Sequence, residues 1–63
     1  MINDTLNPLW KALSDPTRRH ILDLLREAPR TTGELSGIFA EEMSRYAVMK
    51  HLTVLEEASL IVI

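Results

Sequence analysis

The sequence predicts a small, mainly α-helical domain of four helices followed by one short strand, and three observations predict it. Residues of the kind that cap helices stand at Asn7, Asp15, Thr31 and Ser44. Behind each of them apolar residues recur at helical spacing. The chain then ends on Leu60-Ile-Val-Ile63, which is β-prone and too short for a helix. The 63 residues form one domain, 1–63, and a chain of this size buries only about 60% of its unfolded surface. Its stability must therefore come from tight packing or from a partner chain.

The first helix is expected over roughly 6–14. Asn7 caps it and Pro8 takes the first helical position, where the missing N–H is not needed. Leu6, Leu9, Trp10 and Leu13 fall at i, i+3, i+4 and i+7 and form one stripe. Asp15-Pro16 repeats the cap-then-proline signal, and Ile21, Leu22, Leu24, Leu25 and Ala28 share a broad face of a second helix that Pro29 stops. Thr31-Thr-Gly-Glu34 has capping-box spacing, predicting a third helix over 32–40 with Leu35, Ile38 and Phe39 inward. Ser44 opens the fourth, over 44–58. The strand at 60–63 has no partner beyond the short extended piece at Arg30 to Thr32.

Composition narrows the function. With 46% hydrophobic and 25% charged residues the chain reads as an ordinary soluble domain, and its apolar runs are far too short to span a bilayer. The opening residues lack the pattern of a secretory signal, so a cytoplasmic protein with no membrane association is expected. There is no cysteine, hence no thiolate metal site or cysteine nucleophile. No glycine-rich phosphate loop or useful His-carboxylate pair is present either, so the expectation is a non-enzyme without cofactor or metal. The net charge of −2 argues mildly against nucleic acid, although local distribution can overrule it.

The fourth helix provides that local distribution. At 100° per residue Ala47, Val48, His51, Leu52, Val54, Leu55 and Ala58 share the core side. Arg45, Tyr46, Met49, Lys50 and Thr53 lie opposite, with Glu56 and Glu57 in the last turn. Positive charge first and acid last opposes the helix dipole, at about 0.3–1 kcal/mol per misplaced charge. A polyanion bound at the N-terminal half would offset that cost, and Arg, Lys, hydroxyl and flexible apolar groups are what reach phosphates and base edges. A solvated helix face is the alternative reading. His51, on the apolar side, reads as a packed or hydrogen-bonded histidine, and His20 as an exposed one.

The stretches ALSDPTRRHILDLL, TTGEL and SRYAVMKHLTVLEEASLI together resemble the winged helix-turn-helix domain of ArsR-type bacterial transcriptional repressors, from Leu9 onward. The resemblance implies a homodimer that binds a near-palindromic operator in double-stranded DNA, with the helix at 44–58 in the major groove. By position it implies DNA contacts from Ser44, Arg45, Tyr46, Met49 and Lys50, and a backbone contact from Thr32. Ser44 also caps its helix. Arg18 and Arg19 match the family's basic pair, which would either touch phosphate or cover the core edge with their stems. The Leu6, Leu9, Trp10 and Leu13 stripe is then core in part and dimer interface in part.

Three departures from the family pattern stand out. Thr31, Thr32 and Gly33 occupy the place where many members carry metal-sensing cysteines, the turn Ala40-Glu-Glu-Met43 is longer than usual, and Ser59 replaces a helix-ending glycine. The wing hairpin is incomplete and the family's last helix has no counterpart, so a fragment or N-terminal domain of a longer protein is expected. The competing function is a winged-helix dimerisation or protein-interaction module that does not bind DNA.

Overall fold

Four helices make up the regular structure of residues 7–63, which the computed structural model describes: α1 (Pro8–Leu13), α2 (Pro16–Glu27), α3 (Thr32–Ile38) and α4 (Arg45–Glu57). Leu6, and with it the start of the predicted 6–14 helix, lies outside the described residues. Each expected cap closes its helix. Asn7 Oδ1 accepts from the Leu9 N–H at 2.9 Å, Asp15 Oδ2 from the Arg18 N–H at 3.0 Å, and Ser44 Oγ from the Ala47 N–H at 3.1 Å. At Thr31 the box is reciprocal: the hydroxyl accepts from the Glu34 N–H at 3.0 Å, and Glu34 Oε1 accepts from the Thr31 N–H at 2.8 Å. The Thr31 backbone N–H, and after it the Thr31 hydroxyl, hold the Glu34 carboxyl below its ordinary pKa.

Proline sets two of the helix ends. Ala28, one residue before Pro29, is extended at φ −165° and ψ 152°, as steric conflict with a following proline ring demands. α1 stops at Leu13 because Asp15-Pro16 must be extended as well. The third helix is shorter than predicted. It gives way after Ile38 to a turn in which the Phe39 carbonyl accepts from both the Glu42 and Met43 N–H groups, each at 2.9 Å.

The end of α4 is a Schellman motif. The Ser59 N–H donates to the Glu56 carbonyl at 2.9 Å and the Leu60 N–H to the Leu55 carbonyl at 3.0 Å, while Ser59 takes a positive φ of 59°. A side chain in this left-handed region costs roughly 1–2 kcal/mol. Ser59→Gly removes that cost and gives back about 0.4–1 kcal/mol through the freer unfolded chain. The expected result is a melting temperature a few degrees higher, read by circular dichroism, with Ser59→Val shifting it downward.

The predicted strand at 60–63 is not formed. The reason lies in the only segment offered as its partner: the Thr31 N–H is spent on Glu34 and the Thr31 carbonyl on the Leu35 N–H at 3.0 Å, so 30–32 caps α3 instead of extending a ladder. The two segments instead line a concavity of about 150 Å³, with Arg30, Thr31 and Thr32 facing Ile61, Val62 and Ile63. Leu60 and Ile61 still pack on the core.

α4 is the central element, touching all three other helices. Val48, Leu52 and Leu55 from α4 meet Ala12, Ile21, Leu35 and Phe39, all fully or nearly fully buried. The helical period was right and some assignments within it were not. Ala12 is the buried residue of α1, whereas Leu9, Trp10 and Leu13 are 46%, 62% and 38% exposed. Ile38 and Ala28, expected inward, face solvent. No helix among the described residues is long and apolar enough to cross a membrane.

Candidate nucleic-acid interface

The first turns of α4 present Arg45, Tyr46 and Lys50 outward, all exposed, and contain no carboxylate. Their freedom follows from the packing: Val48, Leu52 and Leu55 secure the helix from its other side, leaving this face with no role in the core. Tyr46 is 72% exposed, and the Lys50 ammonium sits 5.5 Å from its ring centroid, within cation-π range. Thr53 Oγ1 donates back to the Met49 carbonyl at 3.0 Å. Tyr46, Met49, Lys50, Thr53 and Val54 together line a shallow concavity of about 280 Å³. Met49 is less outward than helical periodicity suggests, since it is half-buried against the core while lining that concavity.

The other expected site residues are spread around this face. Ser44 is exposed with its hydroxyl engaged as the α4 cap, and Thr32 is half-buried at the first position of α3. Arg18 and Arg19 have work inside the fold. Arg18 donates from Nε to the Ala12 carbonyl at 3.0 Å and from Nη2 to the Lys11 carbonyl at 2.7 Å; Arg19 donates from Nη1 to the Leu13 carbonyl at 2.7 Å. Two cations thus satisfy the free carbonyls at the C-terminus of α1, where the helix dipole favours positive charge.

Arg18 also joins α2 to α4. Its Nη1 lies 3.2 Å from His51 Nδ1, which places the acceptor lone pair on Nδ1 and the ring proton on Nε2. The Asp15 carboxylate stands 3.9 Å from the same ring nitrogen. Burial works to raise the Asp15 carboxyl, but the bond from the Arg18 N–H and the charge of the Arg18 guanidinium prevail and hold it below its ordinary value. His51 is therefore a hydrogen-bonded, half-buried histidine, as its position on the apolar side suggested. His20 is exposed, its ring edge-on to Phe39 at 5.3 Å and 81°. No group of three or more metal-ligating side chains occurs among the described residues.

Sequence reasoning missed two features. One is the Arg18 to His51 bond, which spans 33 positions and leaves no periodic trace. The other is Lys11, which the packing of α1 on α4 brings to the same cleft as Lys50. A polar residue on the first helix gives no sign of this until the crossing of the two helices is known.

Comparison with known proteins agrees with this arrangement. A helix-turn-helix domain model matches residues 13–63. The chain is 41% identical over 56 residues to the transcriptional repressor SdpR of Bacillus subtilis (strain 168), covering 89% of this chain and 60% of that protein. It is 44% identical over 52 residues to the HTH-type transcriptional regulator Rv2034 of Mycobacterium tuberculosis, covering 82% of this chain and 47% of the relative. With YuzN of Bacillus subtilis, an uncharacterized HTH-type transcriptional regulator, it shares 38% identity over 65 aligned positions, covering 95% of this chain and 71% of the relative. The chain thus spans about half to three fifths of the length of the first two relatives. No solved structure shows a significant match. With α3, the turn through Met43 and α4 in place and the family model covering well over half of the chain, the protein belongs to the helix-turn-helix domain family.

Proposed function

We propose that this chain is the DNA-binding part of a transcriptional regulator of the ArsR type, a winged helix-turn-helix repressor that binds a near-palindromic operator as a homodimer. The observation that carries the reading is the outward face of α4, where Arg45, Tyr46 and Lys50 are exposed and no acidic side chain stands in the first turn. In a major groove Arg45 and Lys50 would meet phosphate or guanine, Tyr46 and Met49 would add apolar contact, and Ser44 and Thr32 would reach the backbone. Glu56 and Glu57, at the far end of α4, would point away from the duplex. The names of the relatives, a transcriptional repressor and HTH-type transcriptional regulators, support the same reading.

The exposed Leu9, Trp10 and Leu13 form the dimer surface in this reading, with Leu6 outside the described residues. In this reading the regulator works in the cytoplasm, beside the chromosome. Fluorescence anisotropy of a labelled duplex from upstream of the protein's own gene, against a random duplex of equal length, tests the proposal. Tighter binding to the upstream duplex is expected, with affinity falling linearly on a log-log scale as salt rises. Equal, negligible binding to both duplexes would leave the protein-interaction module as the better account.

A further inference from the structure

A second cleft, of about 360 Å³, opens between α1 and α4 and is lined by Lys11, Arg18, Ala47, Lys50, His51 and Val54. Three of the seven Lys and Arg residues of a chain with net charge −2 converge on it, and no carboxylate lines it. Such a concentration runs against the charge of the whole chain. Neither Lys11 nor Lys50 is ion-paired with a described residue, whereas Arg26 and Arg30 are held by Asp23 and Glu27.

We propose that this cleft is an oxyanion site that seats a phosphate group. Lys11 and Lys50 approach it from the two helices as mobile point charges. Arg18 is the fixed member: its bonds to the Lys11 and Ala12 carbonyls hold the guanidinium plane, and each terminal nitrogen retains an N–H for a ligand. Ala47 and Val54 provide an apolar wall, which weakens screening by water and strengthens attraction between ion and site. The Asp15 carboxylate, 3.9 Å from His51 Nδ1, offsets part of the Arg18 charge. The phosphate is that of the sugar-phosphate backbone of DNA or of a free phosphorylated molecule. The site rests on the cleft and not on the DNA-binding reading.

Two measurements on the chain and on its Lys11→Gln variant separate these sources. Lys11 is exposed and its hydrogen bonds within the described fold come from its backbone N–H and carbonyl, so the variant is expected to melt with the parent. In the first, amide NMR shifts are followed during titration with pyrophosphate and, at matched ionic strength, with sodium chloride. Saturable shifts confined to Lys11, Ala47, Lys50 and His51, and weakened up to about fivefold in Lys11→Gln, as loss of one exposed ion pair implies, support a site for a free phosphorylated molecule. In the second, duplex affinity is measured against salt. A Lys11→Gln loss that is uniform across sequences, with the salt slope reduced by about one, supports a DNA phosphate. Chloride reproducing the pyrophosphate shifts, together with unchanged duplex binding by Lys11→Gln, overturns the proposal. Absence of duplex binding by the parent itself would count against the regulator reading and leave the pyrophosphate result to decide the site.

Discussion

Phe39→Ala should abolish cooperative unfolding of this domain at room temperature. Phe39 is the largest of the fully buried side chains, at 2% exposure, in a core of only seven buried residues among those described. Truncating a buried phenylalanine costs about 3–5 kcal/mol, and a domain below about 70–80 residues rarely has more than that to lose. The site cannot readily collapse, because Phe39 also anchors the turn between α3 and α4: its carbonyl receives the Glu42 and Met43 N–H groups and its ring packs nearly perpendicular to that of His20. The adjacent Ile38 is the control. It is 42% exposed, and Ile38→Ala should change stability by no more than about 0.5 kcal/mol. Urea unfolding followed by circular dichroism measures both. A Phe39→Ala variant with the parent's sharp transition would mean that α3 does not dock on α4 as described.

The contrast between Ile38 and Phe39 also marks how far the sequence is legible. Local chemistry was readable wherever it is self-contained. Asn7, Asp15, Thr31 and Ser44 each begin a helix because the bonds that make a cap span at most three residues. Ser59 was recognisable as the odd residue at a glycine position, and its φ of 59° shows the reason. Which apolar residue on a face becomes core is settled by a partner element, and periodicity does not encode that partner. In α1 the small Ala12 lets the helix approach α4, so the bulkier Leu9, Trp10 and Leu13 are left outside. The expected strand at 60–63 failed for a related reason, since β-propensity speaks for one segment whereas a ladder needs two. The outward face of α4 was legible as Arg45, Tyr46 and Lys50 because a single helix defines it. The cleft that adds Lys11, Arg18 and His51 takes three helices, and only their packing reveals it.

The sharpest test of the α4 assignment sets Arg45 and Lys50 against His51. Arg45→Ala and Lys50→Ala combined should leave the melting temperature nearly unchanged, since both side chains are exposed and neither is ion-paired with a described residue. Duplex affinity should fall at least about tenfold, because a good base contact alone is worth about 1–3 kcal/mol. If the two residues touch phosphate instead, the loss should be the same for every sequence and the salt slope should drop by about one per residue. His51→Ala should behave in the opposite way. His51 is half-buried, its side chain 22% exposed, and it receives the Arg18 guanidinium that ties α2 to α4. Removing the ring deletes packing and leaves a guanidinium N–H without its acceptor, so stability should fall by about 1–3 kcal/mol. Any loss of DNA binding should track unfolding and return on cooling. Thermal melts and duplex titrations at two temperatures, run on both variants, distinguish the cases. If His51→Ala melted with the parent and yet failed to bind at either temperature, α4 would have to be rotated about its axis, with His51 moved from the tether into the contact surface.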